Sequence, residues 1–105
     1  MNPLFCFKFG KQLIRCDITP NKEVRFFAKD ICDAIGKPNE GLVLAELNNI
    51  FAGFKYQYGF VEIESEHPYE GYFITKEEAL YLAVKSDELW TFLKETVLPQ
   101  VEAYL

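Results

Sequence analysis

The sequence predicts a single α+β domain over residues 1–105: a small antiparallel sheet, made of an N-terminal hairpin plus later strands, packed with about four short helices. Phe5, Phe7 and Phe9 alternate with Cys6 and Lys8, the period of two expected of a half-buried strand. The period then changes to that of a helix, with Ala28, Ile31, Cys32 and Ile35 at i, i+3, i+4 and i+7. Half of the 105 residues are apolar, ten Phe and six Tyr among them, enough for one core and little more.

Gly10-Lys11 suits a two-residue type II′ turn joining strand 5–9 to a second strand through Cys16. That turn sets Phe9 against Gln12, Phe7 against Ile14 and Phe5 against Cys16. Phe5, Phe7, Ile14 and Cys16 then share the core face, leaving Cys6, Lys8, Leu13 and Arg15 on the other. Thr19-Pro20-Asn21-Lys22 reads as a turn, and Val24 to Phe27 as a third strand. The helix opening at Ala28 leaves Lys29, Asp30, Asp33 and Ala34 on its other flanks. Gly36 is placed to close it in the left-handed conformation, Pro38 stops further propagation, and Asn39 stands at the N-cap of a second helix.

That second helix, Glu40 to Phe51, is apolar at Leu42, Val43, Leu44, Leu47, Ile50 and Phe51, which predicts a short, well-buried element. Together the two helices admit a helix–turn–helix reading for DNA. The plainer reading, two core helices joined by a tight turn, is preferred, because the second helix would offer a groove only Glu40, Glu46, Asn48 and Asn49. Farther on, Phe54, Tyr56 and Tyr58 alternate in one phase and Val61, Ile63 and Ser65 in the other, implying a bulge at Gly59-Phe60. Glu62, Glu64 and Glu66 share the solvated face of this strand. His67 to Gly71 is a turn, and Tyr72-Phe73-Ile74 a returning strand.

Thr75-Lys76-Glu77-Glu78 is a capping box. Ala79, Leu82 and Ala83 give its helix an inner face that Leu80 and Val84 widen. Ser86 caps the last helix, with Asp87 and Glu88 complementing its dipole. Trp90, Leu93, Val97, Val101 and Tyr104 form its stripe, and Pro99 predicts a kink near Leu98 or an end with a loose tail.

Two stretches resemble the Bro-N domain, the N-terminal domain of BRO-family regulators and antirepressors of baculoviruses, phages and prophages. Phe26 to Asn39, FFAKDICDAIGKPN, is similar to the family's aromatic-x-A-K-D-V-x-x-A-L-G-Y-x-N core. Ile74 to Leu82, ITKEEALYL, is similar to its I-T-E-x-G-L-Y-x-L segment, and Val97-Leu98-Pro99 to its closing V-L-P. The two halves lie in the family's order and together span most of the chain. Departures fall where the family is charged or aromatic: Phe92 replaces a Trp, Thr96 a Glu, and Glu40 to Leu44 a stretch often rich in Arg and Lys. The resemblance implies a regulator that touches DNA, with contacts expected from Arg25, Lys29, Lys37, Asn39 and the N-terminal lysines.

The charge is divided along the chain. Through Lys37 seven Lys/Arg meet four acids, giving +3; from Pro38 onward four Lys meet twelve acids, giving −8. Phosphate backbones would be attracted to the first part and repelled by the second. An acidic surface led by Glu62, Glu64 and Glu66 instead suits an antirepressor-like module, or an acidic DNA mimic, that sequesters a repressor or other regulatory protein. The inventory argues against an enzyme, with no phosphate-binding loop, no metal cluster, and Ser65 and Ser86 as the only serines. No cofactor and no small-molecule substrate is expected. With no membrane-length apolar run and no signal-peptide pattern, cytoplasm is the expected compartment, in a bacterial or virus-infected cell. Cys6, Cys16 and Cys32 follow no zinc spacing; a Cys6–Cys16 bridge is conceivable, but buried free thiols are the preferred reading.

Overall fold

A computed structural model describes residues 3–51, 57–61 and 69–105. Strands β1 (Leu4–Phe9), β2 (Gln12–Ile18) and β3 (Val24–Phe27) lead into helices α1 (Ala28–Ala34) and α2 (Glu40–Ile50). Strands β4 (Gln57–Val61) and β5 (Tyr69–Thr75) follow, then helices α3 (Lys76–Ala83), α4 (Asp87–Phe92) and α5 (Leu98–Glu102). A π-helical turn, Leu93–Val97, joins the last two into one continuous run, making four helical units among the described residues. The strands lie in the order β1-β2-β3-β5-β4, every neighbouring pair antiparallel, as the α+β reading expects.

The hairpin has the predicted register: Phe9 opposes Gln12, Phe7 opposes Ile14 and Phe5 opposes Cys16. Gly10 has φ +60° while Lys11 does not enter the left-handed region, which fits the type II′ turn. Ile14, Cys16, Ile18, Val24, Phe26 and Ile74 form one sheet face, and the helices cover it with Ile31, Leu44, Leu47, Leu82, Leu93 and Val97. Side chains such as Phe26, with no exposed surface, stabilise the fold by roughly 1.5–3 kcal/mol each. The opposite face carries a separate cluster, Phe27 and Phe73 in an edge-to-face pair at 5.2 Å with Leu4 beside them.

Helix ends follow their local chemistry. At the end of α1 the Gly36 amide donates to Asp33 and the Lys37 amide to Cys32, with Gly36 at φ +76°: a Schellman closure that a side chain at that position would strain. Asn39 caps α2, its Oδ1 accepting from the Leu42 amide at 3.2 Å. The Thr75 capping box is complete: the Glu78 amide donates to Thr75 Oγ1 at 3.2 Å, and the Thr75 amide to Glu78 Oε1 at 2.6 Å. Ser86 caps α4.

Several expectations are corrected. β4 pairs with β5 in unbroken register from Gln57–Phe73 to Val61–Tyr69, so no bulge sits at Gly59-Phe60. Gly59 serves a different end, since a Cβ there would lie 2.9 Å from the Phe73 ring. In α2, Leu42 and Ile50 are 69% and 54% exposed, because six apolar residues span more arc than one helix can turn toward a sheet. The C-terminal stripe is Leu89, Leu93, Val97 and Val101, whereas Trp90 is 39% and Tyr104 70% exposed. A constant spacing of four would drift around an α-helix; the wider π turn, closed by the Leu98 amide on the Leu93 carbonyl, holds these residues toward the core. The regular α-helix is interrupted by that turn just before Leu98, and Pro99 falls in the first turn of α5, where its missing amide is tolerated. Val84 is exposed and does not widen α3.

Candidate interaction surface

Arg25 is built into the sheet. Its Nε and terminal nitrogen donate to the two carboxylate oxygens of Asp17 at 3.0 and 2.7 Å, across the β2–β3 pair. Its guanidinium lies 4.2 Å from the centre of the Phe73 ring. Asp17 is 1% exposed. A phosphate would therefore have to draw Arg25 out of a bidentate pair with a buried carboxylate.

Arg15 and Asp30 make a second such pair, which the helical periodicity of α1 does not announce. The chain leaves β3 for α1 at Ala28, so the Arg15 amide lies beyond the last ladder pair, Cys16 with Phe26. Asp30 accepts from that amide at 3.0 Å and from the guanidinium at two 2.8 Å contacts. This draws Asp30 into the interior instead of onto a solvated flank, at 6% exposure. The Arg15 guanidinium stands 4.9 Å above the Phe27 ring. The signal in the sequence was an acid two residues after the strand-to-helix junction, facing a strand residue whose amide the ladder could not reach.

The other residues expected to touch DNA lie near the α1–α2 turn. Lys29 is 63% exposed and sits 3.7 Å from Asp33, one turn on. Asn39 spends its side-chain oxygen on the α2 cap. Lys37 is exposed beside Lys85, whose hydrogen bond and positive charge hold it below the usual lysine range. Lys85 in turn grips Glu46 at 2.8 and 3.1 Å, which raises Lys85 and lowers Glu46. Lys37, Pro38, Asn39, Leu42, Val43 and Glu46 line a groove of about 370 Å³. Arg25 lies on the sheet, apart from this group. Glu62, Glu64 and Glu66, the expected acidic protein-binding strip, fall outside the described residues.

Helix α2 presents its outward face to solvent. Val43, Leu44 and Leu47 point inward. Leu42, Ala45 and Asn49 project opposite them, with Glu46 and Ile50 on one flank and Asn48 on the other. No Lys or Arg belongs to this helix, and its first turn carries Glu40. As a recognition helix it would bring no cation to a phosphate backbone; as a protein-docking face it offers exposed Leu42 and Ile50 with amide and charged groups around them.

Comparison with known proteins adds nothing to these observations. No family model, curated protein or solved structure matches the chain. Among the described residues, no cluster of His, Cys, Asp or Glu is arranged to hold a metal ion. No helix of the described residues is long and apolar enough to cross a membrane.

Proposed function

We propose that the chain is a Bro-N-like, non-enzymatic regulatory domain that acts by binding a protein, as an antirepressor does, through the outward face of α2. The observation that carries this reading is the character of that face. It exposes Leu42, with Ile50 on its flank, and has no basic residue to offer a phosphate backbone. The commitment of Arg25 to Asp17 and of Asn39 to the α2 cap supports it further.

A DNA-contacting mode is the second reading. It is favoured by one feature: an open cleft lined by Lys11, Gln12, Arg15 and Lys29, with Asp30 and Asp33 opposing them. Three cations against two carboxylates leave a small positive excess there.

The test pairs the two readings. Leu42→Asp with Ile50→Asp should leave the folded far-ultraviolet spectrum intact and abolish capture of the partner from the native host. Lys11→Ala with Lys29→Ala should leave capture unchanged. Loss of duplex DNA binding in the lysine pair, together with undiminished partner capture by the aspartate pair, would reverse the assignment.

A further inference from the structure

The edge strand β1 has a geometry that a second copy of this chain would complete. The Ile18 amide donates to the Pro3 carbonyl, which makes Pro3–Ile18 a hydrogen-bonded pair. Hydrogen-bonded and non-hydrogen-bonded pairs alternate along an antiparallel ladder. Phe5–Cys16, Phe7–Ile14 and Phe9–Gln12 are therefore of the first kind; Leu4–Asp17, Cys6–Arg15 and Lys8–Leu13 are of the second. The Arg15 amide, which points away from β1 to Asp30, agrees with this phase. It follows that Leu4, Cys6 and Lys8 turn their backbone N–H and C=O groups outward. Among the described residues no strand pairs with them, because β1 ends the sheet.

The side chains along this edge suit the same occupant. Phe5 and Phe7 pack on the core but are only partly buried. Tyr104, 70% exposed, stands edge-on to Phe5 at 4.9 Å and extends the apolar rim. An edge with outward amides and a partly exposed aromatic row is a template for strand addition.

We propose that β1 pairs antiparallel with β1 of a second copy about a two-fold axis at Cys6, joining two sheets into one. The register follows from the phase. Only pairing Cys6 with Cys6 of the second copy, and Leu4 with its Lys8, uses all of the outward groups of Leu4, Cys6 and Lys8. The same register sets Phe5 beside Phe7 of the second copy on the helix-covered face and buries both further. The interface is isologous and closes on itself, so it yields a dimer and no filament. Lys8 from each copy lies near the ends of the paired segment, one on either side of the axis.

Cys6 reports this geometry directly. A hydrogen-bonded antiparallel pair sets its Cα atoms about 5.5 Å apart, within the span of a disulfide. Cys6 is exposed, whereas Cys16 and Cys32 are buried. Light scattering over rising protein concentration should show the mass double. Cys6→Pro removes the central outward amide without touching the β1–β2 ladder, and should stay at monomer mass with an unchanged far-ultraviolet spectrum. Should that variant lose its spectrum, Lys8→Pro repeats the test at the next outward amide. Diamide, accepting the two electrons and two protons released by two thiols, should join wild-type chains through Cys6 and leave Cys6→Ser unjoined. Monomer mass at every concentration overturns the proposal. So does a dimer that persists in a folded proline variant.

Discussion

Arg25 and Asp17 hold β2 and β3 together through a bidentate ion pair whose carboxylate is buried and whose guanidinium is stacked on Phe73. Removing one partner of such a pair leaves a buried charge without its counter-ion. Arg25→Ala should therefore destabilise the fold by about 3 kcal/mol or more. Replacing both by apolar residues of similar volume should recover much of that loss. Urea midpoints of the single and double variants test this. An Arg25→Ala midpoint equal to wild type would mean that the pair is ornamental.

Thr75→Ala should lower stability by about 1 kcal/mol, since the Thr75 hydroxyl accepts from the Glu78 amide at the start of α3. Glu78→Ala removes the reciprocal bond to the Thr75 amide and should act in the same direction. Denaturant titrations of the two variants and their double decide whether the effects are shared, as reciprocal bonds of one motif require.

Gly59→Ala would push a methyl group to 2.9 Å from the Phe73 ring. That ring is 1% exposed, edge-on to Phe27 and covered by Arg25, so it has little room to yield. Overpacking of this kind should cost about 1–3 kcal/mol. A thermal melt shows whether it does; an unchanged Tm would place the ring elsewhere.

Burial lifts the Cys16 and Cys32 thiols from the ordinary 9.0 to about 12. The folded state thus keeps protons that the unfolded chain releases first. Their contribution to stability is complete below about pH 9 and is lost as the pH rises toward 12. Urea midpoints between pH 9 and 11 should fall more steeply in wild type than in Cys16→Ala with Cys32→Ala. In the folded state at neutral pH, a thiol reagent should modify Cys6 quickly and the other two only after unfolding.

Much of the fold was legible because the local signals agreed. Alternation in Phe5 to Phe9, the Gly10-Lys11 turn, the Gly36 stop and the Thr75 box each name one conformation, and each stands as expected. What escaped the sequence depended on the third dimension. Periodicity cannot show that Asp30 meets an amide fifteen residues earlier, nor that Gly59 clears space for a ring two strand positions along the neighbour. It also counts apolar residues without knowing how much of a helix a sheet can cover, so it assigns Leu42, Trp90 and Tyr104 to apolar faces although all three are exposed. The candidate surface was harder for the same reason. Arg25 looks in sequence like any surface cation, and only its partner across the ladder reveals its role.

Glu62→Gln, Glu64→Gln and Glu66→Gln together should strengthen DNA binding, or leave it unchanged, if DNA is the partner. If a protein is the partner, the same triple change should weaken capture and make it less sensitive to salt. Pull-down at low and high salt separates the two.

The most direct test of the account is the salt dependence of binding to random duplex DNA, read by fluorescence anisotropy. A domain whose α2 brings no cation, and whose Arg25 is held by Asp17, can make few phosphate contacts. Binding should be weak, with a slope of log affinity against log salt of about −2 to −4. Nanomolar affinity with a slope of about −6 or steeper would contradict it.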